Sequence, residues 1–161
     1  MATRANYAWC APERTRPTEP LSLLLVEPDP LERARLVDLC ARTSGAAQVI
    51  GEVSVGSEAF QATEALRPDV IVVASTLSDM TGMEAVRALR DRYRRRAILV
   101  IASAQERTDA LAAGVLDYLM RPIEAGGFET SLMRARGSPN SEPLYNARTS
   151  RYALGRVRLS H

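Results

Sequence analysis

The chain has 161 residues, enough for one domain with a sizeable core plus extensions at both ends. Its apolar content of 46% is that of a globular protein, and no apolar run approaches the roughly 18 residues of a membrane-spanning helix, so a soluble, cytoplasmic protein is expected. A net charge of +2 is too small to argue for nucleic acid, and because all 21 basic residues are arginine, chemistry that needs a lysine ammonium is excluded.

Residues 1–20, rich in Pro, Thr and Arg and without a continuous apolar core, read as a flexible leader rather than a secretory signal. Leu21 to Val26, "LSLLLV", is an apolar run of strand length, broken by "EPDP". Asp29 and Pro30 suit the N-cap and first turn of a helix that carries Leu36, Leu39 and Cys40 on one face and closes at Gly45. "AQVIGEV" predicts a second strand, and Gly56-Ser57 a second helix with Phe60, Thr63 and Leu66 at helical spacing. Pro68 ends that helix and leads into Val70 to Val73, four consecutive aliphatics whose run ends at Ala74. From Gly82, the positions of Met83, Val86, Leu89 and Tyr93 mark a third helix, ending in the run Arg94 to Arg96. "AILVIA" predicts a fourth strand, "ERTDALAAG" a short helix ending at Gly114, and "LDYLM" a fifth strand. A last helix presents Phe128 and Leu132 and terminates near Gly137.

Strand and helix alternate five times, and the strands are unbroken aliphatic runs rather than alternating ones. That pattern calls for an α/β fold with a doubly wound, five-stranded parallel sheet, helices on both faces, and a site at the carboxyl ends of the strands. Cys10 and Cys40 form no metal-ligand spacing and no disulfide framework; Cys40 reads as a small core residue.

Four stretches in order, "LLLVEPDPLERARL", "RPDVIVVASTLSDMTGMEAVRALR", "ILVIASA" and "GVLDYLMRPI", resemble the receiver domain of two-component response regulators. The resemblance covers about residues 21–136. Its last stretch looks most like receivers of the LytTR kind. It implies the flavodoxin-like receiver fold, and it implies a pocket in which a carboxylate after the third strand accepts a phosphoryl group. In such a pocket Mg²⁺ neutralises charge, held by that carboxylate and an acidic pair, while a hydroxyl and a lysine bind the phosphate.

Position by position, this sequence departs from that pocket. Glu27 matches the first acid, but Pro28 stands where the second belongs, and Asp29 is one place further on. Ala74 occupies the phosphoacceptor position. The hydroxyl position falls on Ala102, with Ser103 adjacent. Arg121 replaces the lysine, and its planar fork does not make the exchange a neutral one. Tyr118 and Pro122 match the family, and the resemblance implies a cis peptide bond before Pro122. The expectation is therefore a degenerate receiver with no catalytic residue and no cofactor. Weak Mg²⁺ binding at Glu27 and Asp29 is the less favoured reading; the two carboxylates are read as solvated, with Arg121 turning to one of them. Ser75 is expected to point to the opposite face of the sheet by strand alternation.

Two functions follow from different classes. One is a phosphorylation-independent interaction module binding a protein partner or a second copy through the face from Asp109 to Arg136. The alternative is a transcription regulator. It would contact DNA through a missing C-terminal domain or through residues 137–161, a basic tail with Arg148, Arg151, Arg156 and Arg158 against Glu142 alone. In the same tail "RVRLS" has the character of a strand that a partner sheet could take up. The arginines at 94–96 read as solvated surface. An enzyme is not expected, since the sole histidine is His161 and no nucleophile, base and orienting group come together.

Overall fold

The aliphatic runs do form the strands, and why they must be buried on two sides is visible in the first of them. The computed structural model describes residues 19–94, 96–137 and 157–158. In β1 (Leu21–Val26) three consecutive leucines, Leu23, Leu24 and Leu25, are all fully buried. Successive side chains of a strand face opposite ways, so burial of all three requires a layer on each face. Leu24 packs with Val26, Ile71 and Val73 on one face, while Leu23 and Leu25 pack with Val70 and Val72 on the other.

The helices supply those layers. On the Leu24 face lie α2 (Gly56–Leu66), α3 (Gly82–Arg92) and the short α4 (Arg107–Ala112), through Ala59, Ala62, Leu66, Val86, Leu89 and Ala110. The opposite face is covered by α1 (Pro30–Ala41) and α5 (Ala125–Gly137), through Leu36, Cys40, Phe128, Leu132 and Ala135. Burial of the Cys40 thiol pushes its pKa up to about 12, so it behaves as a core apolar group.

Besides β1 the sheet contains β2 (Ala47–Val53), β3 (Val70–Ala74), β4 (Ala97–Ala102), β5 (Asp117–Met120) and β6 (Val157–Arg158), in the order β5-β4-β3-β1-β2-β6. Every pairing is parallel. The five-stranded doubly wound core is as the sequence predicts. The two-residue β6 falls in "RVRLS", whose strand character the sequence shows, but it joins this chain's own sheet at Gly51 and Glu52, more than 100 residues earlier, rather than a partner's. The rest of the leader and of the basic tail, including Cys10, Arg148, Arg151 and Arg156, lies outside the described residues.

Two local expectations are corrected. The first helix does not run to Gly45: it ends at Ala41, and Arg42 to Gly45 make a turn in which Ser44 and Gly45 take positive φ. Of the arginines at 94–96, Arg96 is buried and engaged rather than solvated, Arg94 is exposed, and Arg95 lies outside the described residues.

Helix ends set the loops around the strand tips. Asp29 caps α1 by accepting from the Leu31 amide at 2.9 Å, and Thr81 and Glu84 form a reciprocal capping box at the start of α3. Helix α2 has no cap of its own, Val55 standing at the N-cap. Instead Asp79, in the loop between β3 and α3, accepts from the Gly56 and Ser57 amides at 2.8 and 2.9 Å. Burial works to raise the Asp79 pKa, but the hydrogen bonds from Ser57 and Gly56 outweigh it and hold the carboxyl below its ordinary value. Gly82 is needed where α3 begins, since a Cβ there would lie 2.2 Å from the Ala74 carbonyl oxygen.

Candidate functional site

At the carboxyl ends of the strands, Val26, Ala74, Ala102 and Met120 stand as the last residues of β1, β3, β4 and β5, with Val26 paired to Val73 and Ala102 to Met120. The residues immediately after them form the candidate site. Glu27 follows β1, Ser75 follows β3, Ser103 follows β4, and Arg121 and Pro122 follow β5.

The Glu27 carboxylate is the electrostatic centre. Only 2% of the residue is exposed, so the expectation of a solvated group here is overturned. A buried carboxylate must be bonded on each oxygen to offset lost hydration. Its Oε2 accepts from Arg121 Nη2 at 3.0 Å, and its Oε1 accepts from the Asp29 amide at 3.0 Å. Arg33 donates through Nη1 to the Glu27 carbonyl at 2.9 Å. The second nitrogen of the Arg121 fork approaches Glu32 Oε2 at 3.7 Å. Of the two carboxylates considered for Arg121, Glu27 is therefore the one it reaches, while Asp29 is exposed and used as a helix cap.

Ala74 lies in the middle of this ring of polar groups with its own side chain sealed. It is buried in the apolar cluster that includes Leu77 and Ala102, with Tyr118 packed against it. Its methyl group presents no acceptor, donor or nucleophile. Ala102 is equally buried, so the hydroxyl nearest that strand tip belongs to Ser103. Both the Ser103 amide and its hydroxyl donate to Glu106 Oε2, each at 2.9 Å, forming a capping box over the 3₁₀ turn Ala104–Glu106. The Ser103 amide, aided by the Ser103 and Ser75 hydroxyls and by the charge of Arg121, holds the Glu106 carboxyl below its ordinary value against the opposing effect of burial. Ser75 has left the strand by this point; rather than facing away by alternation, it joins Glu106 and Thr76 in lining a groove of about 590 Å³.

Tyr118 is half-buried on β5, and the Arg107 guanidinium stands 5.2 Å from its ring centroid, a cation–π arrangement that ties α4 to the strand. The Arg121-Pro122 peptide bond is cis. Pro122 and Arg121 also line a cavity of about 330 Å³ with Glu32, Leu36, Leu39 and Ile123, between α1 and the segment after β5.

A Mg²⁺ ion, which the resemblance implies, does not fit these residues. Glu27 already has its oxygens on Arg121 and a backbone amide, Pro28 supplies no carboxylate, Asp29 caps a helix, and Ala74 has no side-chain oxygen. Among the described residues no three potential ligands converge.

Five participants escaped the sequence reading, one of them Arg33, which reaches the Glu27 carbonyl from α1. Glu106 was legible in principle, because Ser103 and Glu106 have the S-x-x-E spacing of a capping box. Glu32 lies one turn into α1, and only the fold brings it to Arg121. Arg107 meets Tyr118, and Asp79 meets Gly56, across separations that no local pattern encodes.

Two outcomes test this geometry. Arg121→Ala leaves Glu27 buried without its cation and is expected to lower stability by about 1–3 kcal/mol in urea unfolding, with Arg121→Lys recovering part of it. Glu106 has a lowered folded pKa, so its contribution is complete above the ordinary glutamate value and is lost as pH falls through the lower folded one. The stability gap between the natural chain and Glu106→Gln is therefore expected to be constant near pH 7 and to close towards pH 3.

Known proteins bear on this arrangement. A family model, the response regulator receiver domain, matches residues 23–132. A protein-glutamate methylesterase/protein-glutamine glutaminase of Nocardioides sp. (strain ATCC BAA-499 / JS614) is 32% identical over 94 residues, covering 55% of this chain and 26% of that protein. The transcriptional regulatory protein BtsR of Escherichia coli (strain K12) is 28% identical over 116 residues, covering 72% of this chain and 48% of BtsR. The chain thus spans less than half of these two relatives. Among solved structures, the receiver domain of the sensor histidine kinase PA1611 from Pseudomonas aeruginosa PAO1, which holds magnesium in its active-site cleft, is 27% identical with a TM-score of 0.65, covering 74% of this chain and 99% of that one. A response regulator from Chloroflexus aurantiacus J-10-fl, 22% identical with a TM-score of 0.66, covers 74% of this chain and all of its own, and shares the fold. With the model matching most of the chain and the sheet order agreeing, the protein belongs to the response regulator receiver domain family of two-component signalling.

Proposed function

We propose that this chain is a degenerate receiver, LytTR-like in its last matched stretch, that acts in the cytoplasm by protein–protein interaction without being phosphorylated. The observation that carries the reading is Ala74, a buried methyl group at the strand tip where the family places its phosphoacceptor. Supporting it, Arg121 is engaged by Glu27, and Ser103 by Glu106. Phosphate would find its two customary binding groups already taken. The contact face proposed for a protein partner or a second copy runs from Asp109 to Arg136. It carries Leu111, Met120 and Met133, large apolar side chains that are exposed in the described structure.

Intact mass after incubation with Mg²⁺ and a small phosphodonor is expected to show no added phosphoryl group. A clean single addition would identify another acceptor and end this reading.

The similarity to a transcriptional regulatory protein favours one second reading, in which this chain contacts DNA through the arginines at 148, 151, 156 and 158 or through a domain outside this sequence. Gel shifts with random duplex at two salt concentrations separate the two. Steeply salt-sensitive binding that disappears when the four arginines are replaced supports DNA contact, and binding indifferent to them removes the tail from consideration.

A further inference from the structure

The edge of the sheet at β2 carries a second inference, independent of the pocket and on the opposite side of the sheet from β5. A parallel sheet that stops at β2 leaves a row of backbone donors and acceptors open to pairing with any extended chain. Here the row is occupied. Val157 and Arg158 pair in parallel with Gly51 and Glu52, and both of those residues are buried.

The seat is short, and its occupant lies well beyond the last helix in the sequence. Nineteen residues separate Gly137, the end of α5, from Val157. Nineteen residues can reach at most roughly 60 Å, several times the radius of gyration of about 13 Å for a 100-residue domain. A two-residue ladder makes few hydrogen bonds, so an identical strand from a second copy competes for the seat once its concentration approaches the effective concentration of a linked strand, on the order of millimolar. The same reach allows the strand to seat on a neighbouring molecule.

We propose that the β2 edge is a strand-acceptor site whose partner in trans is the segment 153–161 of a second copy of this chain. At low concentration the chain fills its own edge. At high concentration two copies exchange their segments reciprocally, each reproducing the parallel pairing already seen, which makes a closed two-fold dimer. A second copy is the occupant that the observations favour, because the sequence around Val157 is the one shown to fit this edge in this register.

The test uses the full chain and a fluorescein-labelled peptide with the sequence of residues 153–161. Val157→Pro removes a backbone donor from β6 and so vacates the edge; Arg158→Pro is the second variant, since alternate amides of a strand face its partner. Fluorescence anisotropy is expected to show at least one variant binding the peptide tenfold or more tightly than the natural chain does, and a peptide carrying the same proline is expected not to bind. Light scattering between about ten micromolar and one millimolar is expected to show a rising dimer fraction for the natural chain and a smaller one for that variant. The proposal is overturned if neither folded variant binds the peptide better than the natural chain, or if dimerisation is unchanged in both. Loss of the native circular dichroism spectrum in both variants would also overturn it, by making β6 part of the folding unit instead of an exchangeable strand.

Discussion

Burial of the sheet on both faces is the constraint from which the remaining features follow. Leu23, Leu24 and Leu25 commit β1 to two apolar layers at once, and β3 and β4, flush with it, are buried along their whole length. Polar groups can then gather only at the strand ends. At the amino ends the Ser22 amide and hydroxyl both donate to the fully buried Asp69 carboxylate, at 2.9 and 3.0 Å, joining β1 to β3. At the carboxyl ends Glu27 and Arg121 play the corresponding part. Each fully buried leucine contributes about 1.5–3 kcal/mol, and there are several in β1 alone. An ion pair whose arginine is 44% exposed adds little net stability, because solvent screens it and burying Glu27 costs hydration, although removing Arg121 alone leaves that buried carboxylate uncompensated. The architecture therefore does not depend on the pocket chemistry, and the pocket can lose its acceptor without losing its walls.

Arginine in place of lysine is part of that loss. An ammonium presents a single compact charge, whereas the guanidinium fork of Arg121 points one nitrogen at Glu27 and the other towards Glu32, linking the end of β1 to α1 and to the segment after β5. The charge that would meet an incoming anion is spent internally. On the β4 side Glu106 is bound in the same way by Ser103, so the polar groups at these strand tips are paired with one another.

How much of this was legible depended on distance along the chain. The strands β1, β3 and β4 could be read because each is a largely unbroken aliphatic run, and Ala74 was conspicuous because it ends such a run. Asp29 as a cap could be read from its place before Pro30. The burial of Glu27 could not be read, since it depends on Arg33 and Arg121 arriving from other elements. The strand at Val157 suffers the same limit more strongly. Two residues have no detectable period, and their partner Gly51 lies in a segment already accounted for by β1.

The cap that Asp79 places on α2 has a mechanical consequence. This carboxylate sits in the loop that leaves the Ala74 strand tip, and it grips the first two amides of a helix lying across the same sheet face as α3. Gly82, pressed against the Ala74 carbonyl, fixes the far end of that loop. The loop is thus pinned at three points and behaves as a strut between α2 and α3 rather than as a flap. A displacement of α2, which begins three residues after β2 ends, is therefore passed through Asp79 to the tip of β3, so the β2 side of the sheet and the candidate site share a mechanical link.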